Sequence, residues 1–389
     1  MRVAIVGGGI GGLTAAIALR QHGQDVVVYE QARQIGEVGA GIGVAPNGLR
    51  IYEGLGLRDA IETVAARYGD GSVYYRAEGE HIGDMTTADS SGKYFTLGLH
   101  RADLVGALAG ALPADAIRTG HRLARLEERE DDVLLEFEGG QTATADLVVG
   151  ADGIHSVVRA LVTEPTAPVY SGSIAYRGLV PFDRLGDWTP GVAQLWMGEG
   201  KHFLTYPVRS GELLNYVGFV PSDSHLRESW SAAGDVDSLR ADFAGWDPRV
   251  TQLLEQVEET FWWGLYDREP LERWSGRRVT LLGDAAHAML PHLGQGANQA
   301  IEDGITLAVL LGGLGDGRLE EVLAEYERLR LDRTTRVQSG ARDNGRRYDS
   351  GYEDLGQRDS EIKNSGSFRL WLYDFDAEAV AREAVARLT

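Results

Sequence analysis

Two stretches of the 389-residue chain set glycines, acids and rings at spacings that chemistry can use. The first is VGGGIGG, where Gly7, Gly9 and Gly12 follow an apolar run and Glu30 closes the next one, VVVYE. A G-x-G-x-x-G between strand and helix accommodates a dinucleotide pyrophosphate. The first glycine makes a tight turn, the second admits the anion against the backbone, and the third lets helix and strand close up. Free N–H groups at the helix start then face the anion, and an acid at the position of Glu30 accepts from ribose hydroxyls. An ordinary glycine turn is the alternative, and the strand, turn, helix, strand order of residues 2–30 speaks against it. The second stretch is HFLTYPV, in which His202 and Tyr206 stand four apart. On a strand that spacing puts both on one face, roughly 13 Å apart by rise alone. Histidine takes a proton near neutral pH, and tyrosine can relay one or hold a hydroxyl. Both can equally be satisfied sheet residues. His287 and His292 invite a metal reading, but the carboxylates and spacing of a zinc site are missing.

The elements that must position these groups follow from periodicity. Residues 2–30 form one βαβ unit, and helices are expected at 46–55 and 101–112. Residues 122–150 alternate as a hairpin turning at Glu130 to Asp132 and end on ADLVVGADG. From about 170 to 267 the runs SIAYRGLV, GVAQLWMG, HFLTYPV, LLNYVGFV and TFWWGLYD predict an antiparallel sheet inserted as a second domain. RRVTLLGDAAH then returns to a buried strand. Helices are expected over 299–314 and 320–336, a surface excursion over the Arg-, Asp-, Ser- and Gly-rich 343–366, and a short closing helix. The fold class is therefore α/β: a Rossmann-like domain from 1–72, 96–170 and 270–340, an antiparallel substrate domain from 73–95 and 171–269, and a helical segment at 341–389.

Composition excludes several functions. With 38 basic and 58 acidic residues the net charge is −20, which disfavours nucleic acid and anionic lipid as partners. The absence of cysteine removes disulfides, thiolate metal sites and catalytic thiols. No apolar run reaches the roughly 18 residues of a membrane span. A cytoplasmic protein, monomer or homodimer, is the expectation.

Two further motifs specify the dinucleotide. DLVVGADGIHSVVR carries Asp152, Gly153 and Arg159, and RRVTLLGDAAHAMLPHLGQGANQAIEDG carries Gly283, Asp284, Gly294, Gln295 and Gly296. With the first fingerprint they resemble, in order, the three signatures of the FAD-dependent aromatic hydroxylases, single-component flavoprotein monooxygenases of the para-hydroxybenzoate and salicylate hydroxylase type. The resemblance continues through GAGIGVAPNGLRI, LHRADL, IAYRGLVP, HFLTYPVR and WLYDFDAEA, and is strongest to the salicylate and 3-hydroxybenzoate branch.

This resemblance implies FAD as cofactor, with NADH or NADPH docking transiently, since the chain has a single Rossmann fingerprint. It implies that Asp152 and Gly153 serve FAD and nicotinamide, that Arg101 contacts the flavin, and that Arg159 organises its own motif. Asp284, at a sharp turn after a buried strand, could accept from ribityl hydroxyls, or be a plain helix cap. The helix opened by 291–297 would turn its N–H groups to the flavin N1 and C2 carbonyl edge, favouring the anionic reduced ring. In that branch a His-x-x-x-Tyr and a loop glutamine, here His202, Tyr206 and Gln295, lie at the ring of the substrate. Trp196, Trp262, Trp263 and Phe203 could wall an aromatic pocket or be plain core. Arg177 and Arg209 are candidate carboxylate anchors or surface ion pairs. Two departures stand out: Gly294-Gln295-Gly296 replaces Ala-Gln-Gly, and Gly43 replaces the histidine of pyridine-hydroxylating relatives. The implied reaction places one atom of O₂ on a small phenolic ring through a flavin C4a-hydroperoxide, with loss of CO₂ if that carbon bears a carboxylate. Oxidation of a non-aromatic or polyketide substrate, a flavin sensor and a flavin oxidase are the alternatives.

Overall fold

The computed structural model describes residues 1–36, 40–222, 232–349 and 351–389. Strands Arg2–Val6 and Leu147–Gly150 are buried along almost their whole length, as inner strands of a sheet covered on both faces must be. They occupy the middle of a five-stranded parallel sheet in the order Val279–Leu281, Leu147–Gly150, Arg2–Val6, Asp25–Tyr29, Ile117–Arg118. Helix Ile10–Gln21 packs along helix Gly296–Leu314. Their backbones approach so closely that a Cβ on Gly304 would stand 3.0 Å from Ala15 Cα. Leu13, Leu19, Ile305 and Leu310 are at most 1% exposed in this core, each contributing roughly 1.5–3 kcal/mol. The predicted hairpin is a three-stranded meander, Leu123–Glu128, Val133–Phe137 and Thr142–Ala145.

A second, eight-stranded sheet runs Ala232–Ala233, Phe261–Asp267, Val169–Pro181, Leu213–Pro221, Lys201–Val208, Gln194–Gly198, Val73–Arg76, His81–Asp84. Every neighbouring pair is antiparallel except Gln194–Gly198 beside Val73–Arg76. Its outer face holds Tyr176, Trp196, Phe203, Tyr216 and Val220 under Leu239, Phe243 and Leu253 of two short helices. Its inner face turns Ala175, Val217, Phe219 and Leu204 toward Leu290 and Leu293 of the glycine-rich loop. The architecture is thus α/β, with a parallel nucleotide-type sheet, separate antiparallel sheets and a helical C-terminus.

The surface excursion expected over 343–366 is corrected by the structure. Helix Leu319–Asp349 runs 31 residues, and Leu355–Asn364 forms another helix. Asn344, Tyr348, Arg358 and Ile362 are buried. Composition misleads here because the buried polar groups are satisfied in place: Asn344 donates to the His292 carbonyl at 2.8 Å and to the Tyr348 hydroxyl at 2.7 Å. Among the described residues no helix is long and apolar enough to cross a membrane.

Candidate functional site

The three glycine-bearing motifs converge at the C-terminal ends of three adjacent parallel strands, where doubly wound sheets bind their ligands. Gly7 has φ +111°, and a Cβ there would lie 2.2 Å from the Ala151 carbonyl oxygen, so it joins the first motif to the second. A Cβ on Gly12 would lie 2.0 Å from the Gly7 oxygen, which enforces contact between helix and strand. Gly9 differs, since a Cβ there meets nothing within 4 Å, and helix Ile10–Gln21 has no side-chain cap. Its first N–H groups therefore face open space. Glu30 is anchored beside them, accepting from Gly8 N–H and Ala32 N–H at 2.7 Å each. A carboxylate has about four lone-pair sites, so two remain for hydroxyl donors.

Asp152 accepts from the Ser156 hydroxyl at 2.5 Å and from Val157 N–H at 2.7 Å, closing the turn after Gly153, which has φ +79°. Its side chain therefore shapes the motif rather than standing free. Arg159 ties this turn to the third motif by donating to the Ala285 carbonyl at 3.1 Å.

Asp284 follows Gly283, whose φ of +60° makes the sharp turn foreseen. Its carboxylate is enclosed by protein yet keeps accessible surface, so it faces a cleft inside the fold. Burial raises its pKa, while the charges of His287 and Arg101 pull the other way. Arg101 starts helix Arg101–Gly110 with its N–H on the Ala40 carbonyl at 2.8 Å. Gly294 adopts the left-handed conformation at φ +64°, and a Cβ on Gly296 would lie 3.9 Å from Asp284 Oδ1. The uncapped start of helix Gly296–Leu314 thus lines the same cleft.

Behind this cleft lies a network that sequence reasoning missed. Arg330 binds Glu302 at 2.5 Å and Asp303 at 2.7 Å, and Arg333 binds Glu302 at 2.7 Å. Asp303 also accepts from Gly283 N–H at 2.9 Å and pairs with His287 Nε2 at 2.6 Å. Burial opposes the charge on Glu302, but Arg333 and Arg330 overcome it and hold the carboxyl below its usual range. Gln295 belongs to this network. Its Oε1 accepts from Asn47 at 3.1 Å and Gln299 at 3.2 Å, and it is 1% exposed. Its Nε2 is buried and has no hydrogen-bond partner among the described residues.

His202 and Tyr206 lie on the inner face of the large sheet, as the even spacing requires. The His202 ring stacks on Phe219 at 3.9 Å and stands 5.2 Å from His292 of the glycine-rich loop. Its Nδ1 is hydrogen-bonded to Asp349 at the end of the long helix. Since a carboxylate accepts, the neutral ring has its proton on Nδ1 and its lone pair on Nε2. No local signal marked Asp349, which lies in the stretch expected to be a surface excursion. Tyr206 is buried against Tyr68, ring centres 5.5 Å apart, and burial raises its pKa above the usual phenol range.

The same parity corrects the expected aromatic wall. Trp196, Phe203 and Trp262 point to the outer face and its core. Trp263 alone of the four turns inward, beneath the Arg177 guanidinium at 4.5 Å. Arg177 is buried, and burial and the nearby Arg101 draw its pKa down to about 10. Arg209 instead grips Asp103 at 2.8 and 3.0 Å on the surface.

A flavin dinucleotide fits these residues: open space at Gly9, spare acceptor capacity on Glu30, and an enclosed, accessible Asp284 beside an uncapped helix start. Comparison with known proteins agrees. A family model described as FAD binding domain matches residues 1–341. The chain is 41% identical over 354 residues to a 3-amino-4-hydroxybenzoate 2-monooxygenase of Streptomyces cremeus, covering 88% of this chain and 86% of that one. It is 35% identical to a salicylate hydroxylase of Pseudomonas putida, covering 100% and 95%. Klebsiella pneumoniae HpxO, solved with FAD and uric acid, superposes with a TM-score of 0.80 at 30% identity, over 99% of this chain and 96% of that one. A nucleotide cradle of this geometry, fused to a sheet that presents a histidine and carboxylate pair to its loop, places the chain in the FAD-binding family of aromatic monooxygenases.

Proposed function

We propose that the chain hydroxylates a small aromatic acid carrying a ring hydroxyl, with NADH or NADPH as electron donor. In balance, ArOH, O₂, NAD(P)H and a proton give Ar(OH)₂, NAD(P)⁺ and water. The observation that carries this reading is the Asp349–His202 pair beside the loop that opens helix Gly296–Leu314. The names of the similar proteins add support, since 3-amino-4-hydroxybenzoate and salicylate are both hydroxylated benzoic acids.

Gly7, Gly9, Gly12 and Glu30 would hold the pyrophosphate and ribose of FAD, with Gly153, Gly283 and Asp284 along its ribityl chain. Asp152 would shape the backbone of that wall, and Arg101, Gly294 and Gly296 would border the flavin ring. Bound FAD supplies the acceptance of hydride and the activation of O₂ that side chains lack. The protein prepares the ring. His202 Nε2 takes the proton of the substrate hydroxyl, which raises electron density at the ortho and para carbons. Asp349 holds the imidazole in the accepting tautomer and stabilises the imidazolium that forms. Tyr206 fixes the far side of the ring. Leu204, Val217, Phe219 and Leu293 close an apolar wall that keeps water from the reacting oxygen. Gln295 anchors the loop through its Oε1 and keeps its unpartnered Nε2 for a group near the ring.

The test is NAD(P)H and O₂ consumption with a hydroxybenzoate panel, with product masses and peroxide followed together. One compound should stimulate oxidation and gain one oxygen. His202→Ala should lower coupled hydroxylation by about 100-fold or more while retaining FAD. Unchanged coupling in that variant would remove His202 from the reaction. Asp284→Ala should instead be purified largely colourless, and a fully yellow preparation would contradict its place.

A further inference from the structure

Helix Gly366–Tyr373 lies over the inner sheet face, with Phe368, Trp371, Leu372 and Tyr373 packed among Leu204, Val217, Phe219 and Leu293. Arg369 on this helix is densely surrounded by protein yet keeps accessible surface. Its guanidinium donates to the Tyr373 hydroxyl at 3.3 Å and the Tyr348 hydroxyl at 3.2 Å. Among the described residues it has no carboxylate partner. Arg330 and Arg333 on the cofactor side are by contrast both paired with Glu302, although the buried Arg159 there bonds the Ala285 carbonyl and the Thr166 hydroxyl. A guanidinium does not lose its proton, and an uncompensated one inside a protein is costly. Its neutralising partner is expected from outside the chain.

A second observation points to the same ligand. The Tyr74 hydroxyl is buried, its residue 3% exposed, and it makes no hydrogen bond of good geometry, with the Tyr348 hydroxyl as its near polar neighbour. Its ring lies 6.4 Å from that of Tyr348, and the charge of Arg369 acts on it. A hydroxyl without a well-formed bond near an unpaired planar cation suits an anion that accepts several hydrogen bonds in one plane, as a carboxylate does. The position is also right for the substrate. The Tyr348 ring stands 5.2 Å from that of His202. Tyr68, on which the charge of Arg369 acts, packs on Tyr206. Tyr348 thus links the cation to His202, the group assigned to the substrate hydroxyl.

We propose that Arg369, with the Tyr74 hydroxyl, binds the carboxylate of the aromatic substrate and selects acids over neutral phenols. Tyr348 and Tyr373 hold the guanidinium in place. This inference deepens the hydroxylase reading and takes the substrate ring from it.

Calorimetric titration of the FAD-loaded protein with benzoate and with benzamide tests it without turnover. The wild type should prefer benzoate by about tenfold or more, a preference that Arg369→Gln reduces to about threefold or less. Tyr74→Phe should weaken benzoate by about threefold to tenfold and leave benzamide unchanged. Arg369→Lys, which keeps charge but not the planar fork, should fall between wild type and Arg369→Gln. A wild type without preference, or an Arg369→Gln that keeps it, overturns the proposal. So does equal weakening of both ligands in that variant. If Arg369→Gln does not fold, a preference unmoved by both Tyr74→Phe and Arg369→Lys overturns it. An Arg369-dependent preference without hydroxylation of any hydroxybenzoate would leave the anion site standing and remove the hydroxylase reading. Hydroxylation with a preference indifferent to Arg369 would do the reverse.

Discussion

Between Gly7 and Glu30 the molecule builds its dinucleotide cradle mainly from backbone, whereas the inner sheet face assembles its groups from positions as distant as Tyr74, His202, Asp349 and Arg369. The first construction needs three glycines, a helix start and one acid, all close together in the chain. The second needs a side chain at each corner, each delivered by a different element. A site made of backbone tolerates almost any sequence around its glycines, while one made of side chains fails when a single partner is lost.

The largest predicted effect breaks this division, because the cradle has a side-chain foundation of its own. Arg330→Met leaves Glu302 and Asp303 short of compensation in the core, and should cost about 3–5 kcal/mol in chemical denaturation, with FAD binding lost. A loss below about 1 kcal/mol would make the network dispensable and the cradle purely backbone.

His292 stands at the junction of the two regions, and acid tests it. Burial, assisted by nearby His202, pushes its pKa down to about 3 from 6.5. Between those values the unfolded chain binds a proton that the folded chain refuses. Stability should therefore fall as pH drops below about 6.5, with no contribution from this group above it. Glu302 and Asp303, held low in the fold, add acid sensitivity in the same direction only below about their ordinary values of 4.5 and 3.8. Between pH 4.5 and 6.5 His292 acts together with His100, which burial and the charge of Arg209 also lower, and His292→Leu should flatten the larger part of the limb, a few kcal/mol. A limb of the same slope in that variant would assign it elsewhere.

The smallest effects sharpen the contrast within one motif. Gly12→Ala drives a Cβ toward the Gly7 oxygen and should cost roughly 1–3 kcal/mol. Gly9→Ala, at φ −76° with empty space around it, should unfold within about 0.5 kcal/mol of the wild type yet bind FAD more weakly. Equal FAD affinity in Gly9→Ala would show that the space beside Gly9 is not used by the cofactor.

The same contrast explains what could be read in advance. Gly7, Gly9, Gly12, Glu30, Gly283 and Asp284 were legible because turn geometry and helix starts are local properties. Strand parity put His202 and Tyr206 on one face, and the same parity forbade the aromatic wall: Phe203 is one residue from His202, and Trp262 adjoins Trp263. Asp349 and Arg369 were not legible, since nothing near them in the chain indicates a partner 147 positions away or a guanidinium held by two tyrosine hydroxyls. Gln295 was placed by resemblance, but the hydrogen bonds of its amide depend on Asn47 and Gln299, which the loop motif alone does not reveal.

The helix Leu319–Asp349 bears on how such a protein can be inherited. At 1.5 Å per residue its stretch from Arg330, which locks the cofactor side, to Asp349, the carboxylate beside His202, spans about 29 Å. A chain cut after Arg336 would keep every group assigned to FAD and lose both Asp349 and Arg369. The groups assigned to FAD thus all lie before the cut, while the substrate site is divided by it: His202, Tyr206 and Tyr74 stay and Asp349 and Arg369 leave. A tail exchanged between two such proteins would carry Asp349 and the cation for the carboxylate with it, and leave the groups that face the ring, and the redox apparatus, with the recipient.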